Sequence, residues 1–256
     1  MGLTSQSSGL SLLKDKYNLS KKSEDQIVIA LAGNPNTGKS TLFNYLTGLN
    51  QHTGNWPGKT VTNAQGSFKH KDKEYLLVDL PGTYSILASS QEEEVARDFI
   101  CFGNPKLTIV IADATCLERN LNLALQIMEL TDNVILCLNL IDEATRKGII
   151  IDASKLEKDL KIPVIPMVAR DGVGVDLLKE TIDMIVEGNL GISPLKIIYK
   201  DRIEALVSEI ANSLPEYIKE NYNARWIALR IIDGDSSILK SIQEIIRANL
   251  YIEAEV

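Results

Sequence analysis

Gly33-Asn-Pro-Asn-Thr-Gly-Lys-Ser40 is the stretch of sequence that decides the fold. It fits the pattern GxxxxGK(S/T), and it lies between the apolar run Ile27–Leu31 and a helical pattern over Lys39–Leu46. In such a loop the backbone N–H groups point inward and the helix N terminus adds positive potential, so the loop suits a triphosphate. We therefore predict a phosphate-binding P-loop made of Gly33, Asn34, Pro35, Asn36, Thr37, Gly38, Lys39, Ser40 and Thr41.

Two side chains of this loop have predicted tasks. Lys39 would reach the β- and γ-phosphates, and the Ser40 hydroxyl would ligate Mg²⁺. A Gly-rich turn without a ligand is the alternative, which the strand before the loop and the helix after it disfavour.

A second motif, Asp79-Leu-Pro-Gly82, follows the apolar run Leu76–Val78. Asp79 is placed to hold Mg²⁺ through water, and the Gly82 N–H is placed to bond the γ-phosphate, because glycine lets the backbone approach closely. DxxG alone is a common turn, but at the end of a strand downstream of a P-loop it predicts the second half of a phosphate–metal site.

A third motif, Asn139-Leu140-Ile-Asp142, follows the apolar run Val134–Leu138. A carboxylate at Asp142 would accept hydrogen bonds from guanine N1–H and the 2-amino group, and adenine offers neither donor in that arrangement. Asn139 would brace the loop and contact N7. NxxD alone is weak, since both residues cap helices routinely, but in this order the three motifs predict GTP rather than ATP.

Strand and helix patterns alternate along the first 190 residues, which predicts an α/β fold with a mostly parallel, doubly wound sheet. The segments Thr60–Lys69 and Glu74–Asp79 alternate in polarity around a polar turn, so we predict an antiparallel hairpin at the sheet edge. The remaining buried strands are predicted at Leu107–Ile111 and Val164–Ile165; the remaining helices at Gln91–Phe102, Leu121–Leu130, Ser154–Leu160 and Val175–Val186.

The chain divides into three predicted parts. Residues 1–25 are rich in Ser and Lys and predict a poorly ordered arm, and residues 26–190 form the nucleotide domain. Residues 191–256 hold only helical patterns and predict a small all-α domain.

Composition narrows the class of protein. The net charge is −7, from 27 basic and 34 acidic residues without a dense Lys/Arg cluster, so we expect no nucleic-acid partner. Three cysteines form no CxxC pair, which favours free thiols in a reducing compartment. No apolar run approaches the roughly 18–20 residues that span a bilayer, so the piece by itself is expected to be soluble and cytoplasmic.

The motifs, in this order, resemble the Ras-like GTPase superfamily of translation-factor type. A finer resemblance is to the cytosolic N-terminal region of the FeoB ferrous-iron transporter family, and it covers residues 26 to about 250. The matching segments are Gly33–Asn44, Gly54–Gly58, Asp79–Ser85, Asn139–Ala144 and Asn223–Arg230.

This resemblance implies a Ras-like G domain followed by a helical domain that leads toward a membrane domain. It implies a slow GTPase that regulates prokaryotic Fe(II) uptake at the inner face of the plasma membrane. The implied partners are the protein's own membrane domain and small cytosolic accessory proteins of the iron-uptake system. A homo-oligomer is also compatible with the resemblance. Two alternatives stay open: a ribosome-assembly-type GTPase and a GTP sensor with negligible turnover.

The resemblance also implies roles for particular residues. Thr60 matches the switch I threonine, which ligates Mg²⁺ in the GTP state, and Asn36 matches a P-loop asparagine that coordinates K⁺. The implied catalytic set is Lys39, Thr60, Gly82 and Asn36. Asn55, Trp56 and Gly58 would line the nucleotide from switch I, and Trp56 should report the movement of that switch.

Two positions depart from related G proteins. Thr83 follows Gly82, where Ras-like proteins carry a glutamine that orients the attacking water, so backbone groups of Gly54–Gly58 would have to substitute. The base-binding Ser-Ala pair is replaced by Val168-Ala169, whose Ala169 N–H would bond guanine O6. We therefore expect slow hydrolysis, weak binding and fast GDP release.

Overall fold

The computed structural model describes residues 17, 19–21, 23, 25–48, 51–87 and 89–254, with side chains omitted at 51 and 248–254. Most of the predicted N-terminal arm, residues 1–25, lies outside the described residues. The chain forms two compact units, one of which comprises Ser20–Ile100 and Asn104–Lys196. The described part of the other is 17, 19, Cys101–Gly103 and 197–254.

The larger unit contains a seven-stranded sheet with the strand order β2-β3-β4-β1-β5-β6-β7. The pairs β4-β1, β1-β5, β5-β6 and β6-β7 are parallel, and the pairs β2-β3 and β3-β4 are antiparallel. The predicted α/β fold is therefore confirmed. The strands are β1 Ile27–Gly33, β2 Gln51–Asn55, β3 Thr62–His70, β4 Lys73–Asp79, β5 Leu107–Asp113, β6 Val134–Asn139 and β7 Val164–Pro166.

The central strands form because their sequences are apolar on both faces. All six residues of β6 are buried, as are the first six of β5, which is typical of parallel strands covered by helices on both sides. Cys137 of β6 is fully buried and lies in the core.

The edge strand β2 was not predicted from the sequence. The β3–β4 hairpin is present, but β2 pairs along β3 with Gln51 opposite Gly66 and Asn55 opposite Thr62, so the hairpin is not itself the edge. The reason is that Gln51–Asn55 is polar and its side chains from His52 on are exposed, so it carries none of the alternation that marks a half-buried strand.

Helices connect the strands of the larger unit. The predicted helices are confirmed within a few residues, whereas α4 was not predicted because it is short and begins inside the NxxD motif. The helices are α1 Lys39–Thr47, α2 Gln91–Phe102, α3 Leu117–Leu130, α4 Ile141–Arg146, α5 Ala153–Leu160 and α6 Val175–Val186. Two 3₁₀ turns lie at Ala114–Cys116 and Ala169–Asp171.

Beyond residue 200 the described chain is helical, as predicted. Asn223 caps a helix there, since its side chain accepts a hydrogen bond from the Trp226 N–H at 2.9 Å. Arg225 donates to Glu204 at 2.8 Å, and Val207, Ala228 and Leu229 form a small buried core. The helices are α7 Asp201–Ser213, α8 Glu216–Asn221, α9 Ala224–Ile232 and α10 Ser236–Ala254.

The described residues contain neither a membrane-spanning helix nor a cluster of metal-ligating side chains. No helix among them combines the length and the apolar character that a bilayer crossing requires. The same residues contain no cluster of three or more His, Cys, Asp and Glu side chains suited to a metal ion. Glu92, Glu93 and Glu94 form the acidic first turn of α2, where negative charge complements the helix dipole.

Candidate nucleotide site

The three motifs lie at one edge of the sheet because they follow strands that run in the same direction. In the register of the sheet, Leu31 of β1 lies opposite Asp79 of β4, and Gly33 lies opposite Ile111 of β5. Asn139 ends β6, which also runs parallel to β5. The carboxyl ends of the strands therefore bring the P-loop, DxxG and NxxD motifs together, which is where open α/β sheets bind ligands.

The P-loop has the backbone that its glycines and asparagines permit. Asn36 and Gly38 have positive φ angles of 66° and 86°, and the Thr37 hydroxyl donates to the Asn34 carbonyl at 2.9 Å. A Cβ on Gly38 would lie 2.2 Å from Nδ2 of Asn139, so position 38 requires glycine for both backbone and space. The loop is therefore packed tightly against Asn139, and helix α1 begins at Lys39, within its last residues.

Lys39 and Asp79 meet at the centre of the site. Lys39 Nζ lies 2.5 Å from Asp79 Oδ1, and both side chains are largely buried, at 11% and 16% exposure. Burial raises the pKa of the Asp79 carboxyl above its ordinary value, although the adjacent Lys39 ammonium acts in the opposite direction. A carboxylate that burial destabilises in this way fits a divalent cation beside it.

Gly82 lies close to the P-loop. The nearest atom to a Cβ built on Gly82 is Cα of Pro35, at 3.4 Å, and the next residue, Thr83, donates its N–H to the Gly33 carbonyl at 3.3 Å. The DxxG loop and the P-loop therefore form one surface, as the γ-phosphate prediction requires.

Asn139 ties two loops together. Its Nδ2 donates to the Thr37 carbonyl at 2.8 Å, and its Oδ1 accepts from the Ala169 N–H at 2.9 Å. The side chain is only 2% exposed, so these bonds are shielded from water. The predicted bracing role is visible in this geometry, and it uses both ends of the amide.

Asp142 carries a carboxylate oxygen without a partner. Its Oδ1 is buried and has no hydrogen-bond donor among the described residues, whereas Oδ2 lies 3.6 Å from Arg146 and 3.5 Å from Arg170. Buried acceptors in proteins are nearly always paired, so this oxygen fits a ligand that brings its own donors. Leu140, at φ 61°, turns the chain between Asn139 and Asp142.

In the loop after β7, the backbone N–H predicted to bond guanine O6, that of Ala169, already has a partner in the protein. The Ala169 N–H is engaged by Asn139, and the Val168 N–H donates to the Val173 carbonyl at 3.1 Å. The O6 contact predicted for Ala169 would therefore fall to a neighbouring N–H, of which Arg170 is next along the chain. Arg146 was not predicted to lie near Asp142 because α4, on which the two are four residues apart, was not predicted. Arg170 was not predicted because only the fold brings its guanidinium group to Asp142.

Switch I lies along helix α2. The Trp56 ring is buried and packs edge to face on Phe99, with centroids 5.4 Å apart. Lys59 Nζ lies 2.5 Å from Glu94 Oε2, and the Thr60 hydroxyl donates to Gln91 Oε1 at 3.3 Å.

Thr60 is consequently not brought together with the other predicted Mg²⁺ ligands. Within the described part of the chain, no hydrogen bond joins its hydroxyl to Ser40, Asp79 or Gly82. Asn36 and Ser40 are exposed on the loop, and so are Thr41, Asn55 and Gly58 on the adjoining elements.

The segment that follows Gly82 is held on helix α3. Gln126 Oε1 accepts hydrogen bonds from the Ser85 hydroxyl at 3.1 Å and the Ile86 N–H at 2.9 Å. The Arg119 guanidinium lies over the Tyr84 ring, 4.2 Å from its centroid. These contacts link two parts of the chain about forty residues apart, and no local motif signals them.

Comparison with known proteins gives two family matches. A family profile described as Ferrous iron transport protein B matches residues 27–182. A second profile, described as FeoB cytosolic helical domain, matches residues 199–255. The two matches fall on the α/β unit and on the helical region respectively.

Individual proteins similar to this chain carry the same family name as the two profiles. The Fe(2+) transport protein A/Fe(2+) transporter FeoB fusion protein of Porphyromonas gingivalis is 36% identical over 236 residues, which are 90% of this chain and 28% of that protein. Crystal structures of the cytosolic domain of the T. maritima FeoB iron transporter are also similar. Its GDP form II has a TM-score of 0.75 at 36% identity, covering 85% of this chain and 86% of that one. Its GMPPNP form has a TM-score of 0.73 at 37% identity, with coverages of 85% and 86%.

The chain spans about a quarter of the length of the curated relatives it matches. The matches agree with the predicted resemblance and give no support to the ribosome-assembly alternative. The fold, the order of the motifs and the two profiles all lead to the same assignment. This chain belongs to the FeoB family, and it carries the family's G domain and cytosolic helical domain.

Proposed function

We propose that this chain binds GTP and Mg²⁺, hydrolyses GTP slowly to GDP and phosphate, and thereby regulates an Fe(II) transporter. The observation that carries the proposal is the buried Oδ1 of Asp142, which has no donor in the described structure. Asp142 lies in the first turn of α4, three residues after Asn139, whose side chain donates to the P-loop at Thr37. We therefore assign base recognition and phosphate binding to one site.

Guanine recognition rests on Asp142. Its carboxylate would accept from N1–H and the 2-amino group of guanine, which satisfies the orphan oxygen. Asn139 holds the loop after β7, which we call the base loop, through the Ala169 N–H. The backbone N–H of Arg170 in that loop would donate to O6. Adenine presents an acceptor at N1 and no 2-amino group, so it would leave Oδ1 unpaired at a cost of about 1–3 kcal/mol.

Phosphate binding rests on the P-loop. Lys39 would shift part of its interaction from Asp79 to the β- and γ-phosphates, and the N terminus of α1 adds positive potential. Ser40, Asp79 and, in the GTP state, Thr60 would hold Mg²⁺. When bound, Mg²⁺ neutralises charge that develops on the phosphate oxygens. Gly82 would donate its N–H to the γ-phosphate from its place beside Pro35.

Asn36 is the residue we assign to a K⁺ site. It sits exposed on the P-loop with a left-handed backbone. A bound K⁺ would supply the positive charge that an arginine finger supplies elsewhere. Thr83, by contrast, is buried with its N–H on Gly33, so we do not assign it to the attacking water.

The transport role draws on the relatives' names and on the order of the parts. Residues 26–190 would act as the G domain and residues 191–256 as a helical domain that leads toward the protein's own membrane domain at the plasma membrane. Loss of the γ-phosphate would release Thr60 and Gly82, and the relaxed switch loops would carry the nucleotide state onward. Small cytosolic accessory proteins and a second copy of the chain are further proposed partners.

GTP hydrolysis should be faster in K⁺ than in Na⁺ buffer by about tenfold or more, because a cation at Asn36 stabilises transition-state charge. The measurement is phosphate release with Mg²⁺ in each buffer, for the unsubstituted chain and for Asn36→Ala. The substitution should abolish the K⁺ effect and leave GDP affinity nearly unchanged. Equal rates in both buffers would remove the role of Asn36, and GTP that stays intact over hours would identify a sensor instead.

A further inference from the structure

We propose that Gln126 of helix α3 is a positioning residue that fixes the segment after Gly82 for GTP hydrolysis. The inference rests on the proposed function and adds to it a residue outside the P-loop, DxxG and NxxD motifs. Gln126 acts through this segment, residues 82–86, which we call switch II, and does not itself touch the nucleotide.

The contact is specific for one atom of Gln126. The Ile86 N–H can only donate, so the atom it meets at 2.9 Å must be the acceptor Oε1. The same Oε1 accepts from the Ser85 hydroxyl at 3.1 Å. Ile86 is 2% exposed, so the bond to its N–H is sheltered from competing water.

A second contact from the same helix supports the first. Arg119 lies two helical turns before Gln126, so both side chains project from the same face of α3. Arg119 holds the exposed ring of Tyr84, the residue just before Ser85. Helix α3 therefore contacts three consecutive residues of switch II, two of them through Gln126.

The opposite end of this segment is fixed on the P-loop. Thr83 donates to the Gly33 carbonyl, and Gly82 lies against Pro35. Only Tyr84 separates this anchor from the residues that Gln126 holds. Loss of Gln126 would leave the Thr83 hydrogen bond, which at 3.3 Å is at the margin of good geometry. The Arg119–Tyr84 contact at the surface would remain beside it.

Turnover should therefore depend on the acceptor at position 126. Gln126→Met keeps the length of the side chain and removes the acceptor, and we expect it to lower kcat about tenfold, because small misplacements in a catalytic site are costly. KM for GTP and the affinity for GDP should change less than twofold, since the base and P-loop contacts remain. Gln126→Glu keeps Oε1 as an acceptor, and its kcat should be within about twofold of that of the unsubstituted chain.

Hydrogen exchange of the Ile86 amide gives a readout that does not depend on turnover. Exchange should be faster in Gln126→Met than in the unsubstituted chain. In Gln126→Glu it should be as slow as in the unsubstituted chain. Asn122→Ala, an exposed position on the same helix, serves as the matched control and should change neither exchange nor kcat.

The outcomes separate the two proposals. A tenfold loss of kcat in Gln126→Met, with rescue by Gln126→Glu and unchanged KM, supports the positioning role. Equal kcat in Gln126→Met and the unsubstituted chain overturns it and leaves the proposed function intact, and so does a loss that Gln126→Glu fails to rescue. Absence of GTP turnover in the unsubstituted chain overturns the proposed function and this inference together.

Discussion

Replacing Asp142 with asparagine is expected to weaken GDP binding by about 10²–10⁴-fold, the largest effect of any single substitution in this site. The carboxylate would accept two hydrogen bonds from guanine, and bonds to a charged acceptor contribute about 1.5–3 kcal/mol each. A tenfold change in affinity corresponds to about 1.4 kcal/mol, which gives the range. Xanthine carries a carbonyl in place of the 2-amino group, so an amide at position 142 offers it a donor.

The measurement is titration calorimetry with GDP and with xanthosine diphosphate. The unsubstituted chain should prefer GDP, and Asp142→Asn should reverse the preference. Asp159→Asn, an exposed position on α5, is the matched control for the loss of one negative charge. Unchanged GDP affinity in Asp142→Asn would show that the orphan Oδ1 is not the base-recognition atom.

Asn139→Ala is expected to destabilise the G domain by about 2–5 kcal/mol, the second large effect. The substitution leaves the Thr37 carbonyl and the Ala169 N–H without their partner in a buried place, and each unpaired group costs about 1–3 kcal/mol. For a domain of this size the melting temperature should fall by about 5–15 °C. GDP affinity should fall as well, because the P-loop and the base loop are no longer joined.

Thermal unfolding followed by circular dichroism checks the stability change. Asn139→Asp is the informative companion variant, since it keeps the acceptor for Ala169 and loses the donor to Thr37. Its melting temperature should lie between those of the alanine variant and the unsubstituted chain if each hydrogen bond contributes separately. An alanine variant that melts at the unsubstituted temperature and binds GDP equally well would contradict the bracing role.

The sequence predicted those features that depend on residues close together in the chain. The P-loop, Asp79-Leu-Pro-Gly82 and Asn139-Leu-Ile-Asp142 each follow an apolar strand, and parallel strands necessarily bring such segments to one edge. The bond that Gln126 makes to Ile86 joins distant segments through one amide, and such a pairing leaves no local pattern.

Switch I shows a second limit of sequence reasoning. Thr60 was predicted as an Mg²⁺ ligand, and its hydroxyl lies on Gln91 in this structure. A threonine hydroxyl both donates and accepts, so one residue can serve two arrangements of a loop, and sequence cannot say which arrangement a given state adopts. In the same way, the Ala169 N–H was available by sequence and is engaged by Asn139 in the fold.

Single-turnover hydrolysis with Mg²⁺ and K⁺, run in parallel with GTP and with ATP, tests the central claim most directly. The chain is held in excess over nucleotide, and the fraction converted to diphosphate is followed over hours. A guanine-selective GTPase should convert GTP to GDP while leaving ATP intact, with the GTP reaction lost in Lys39→Ala. Intact GTP throughout, or equal conversion of ATP, would contradict the assignment of this site.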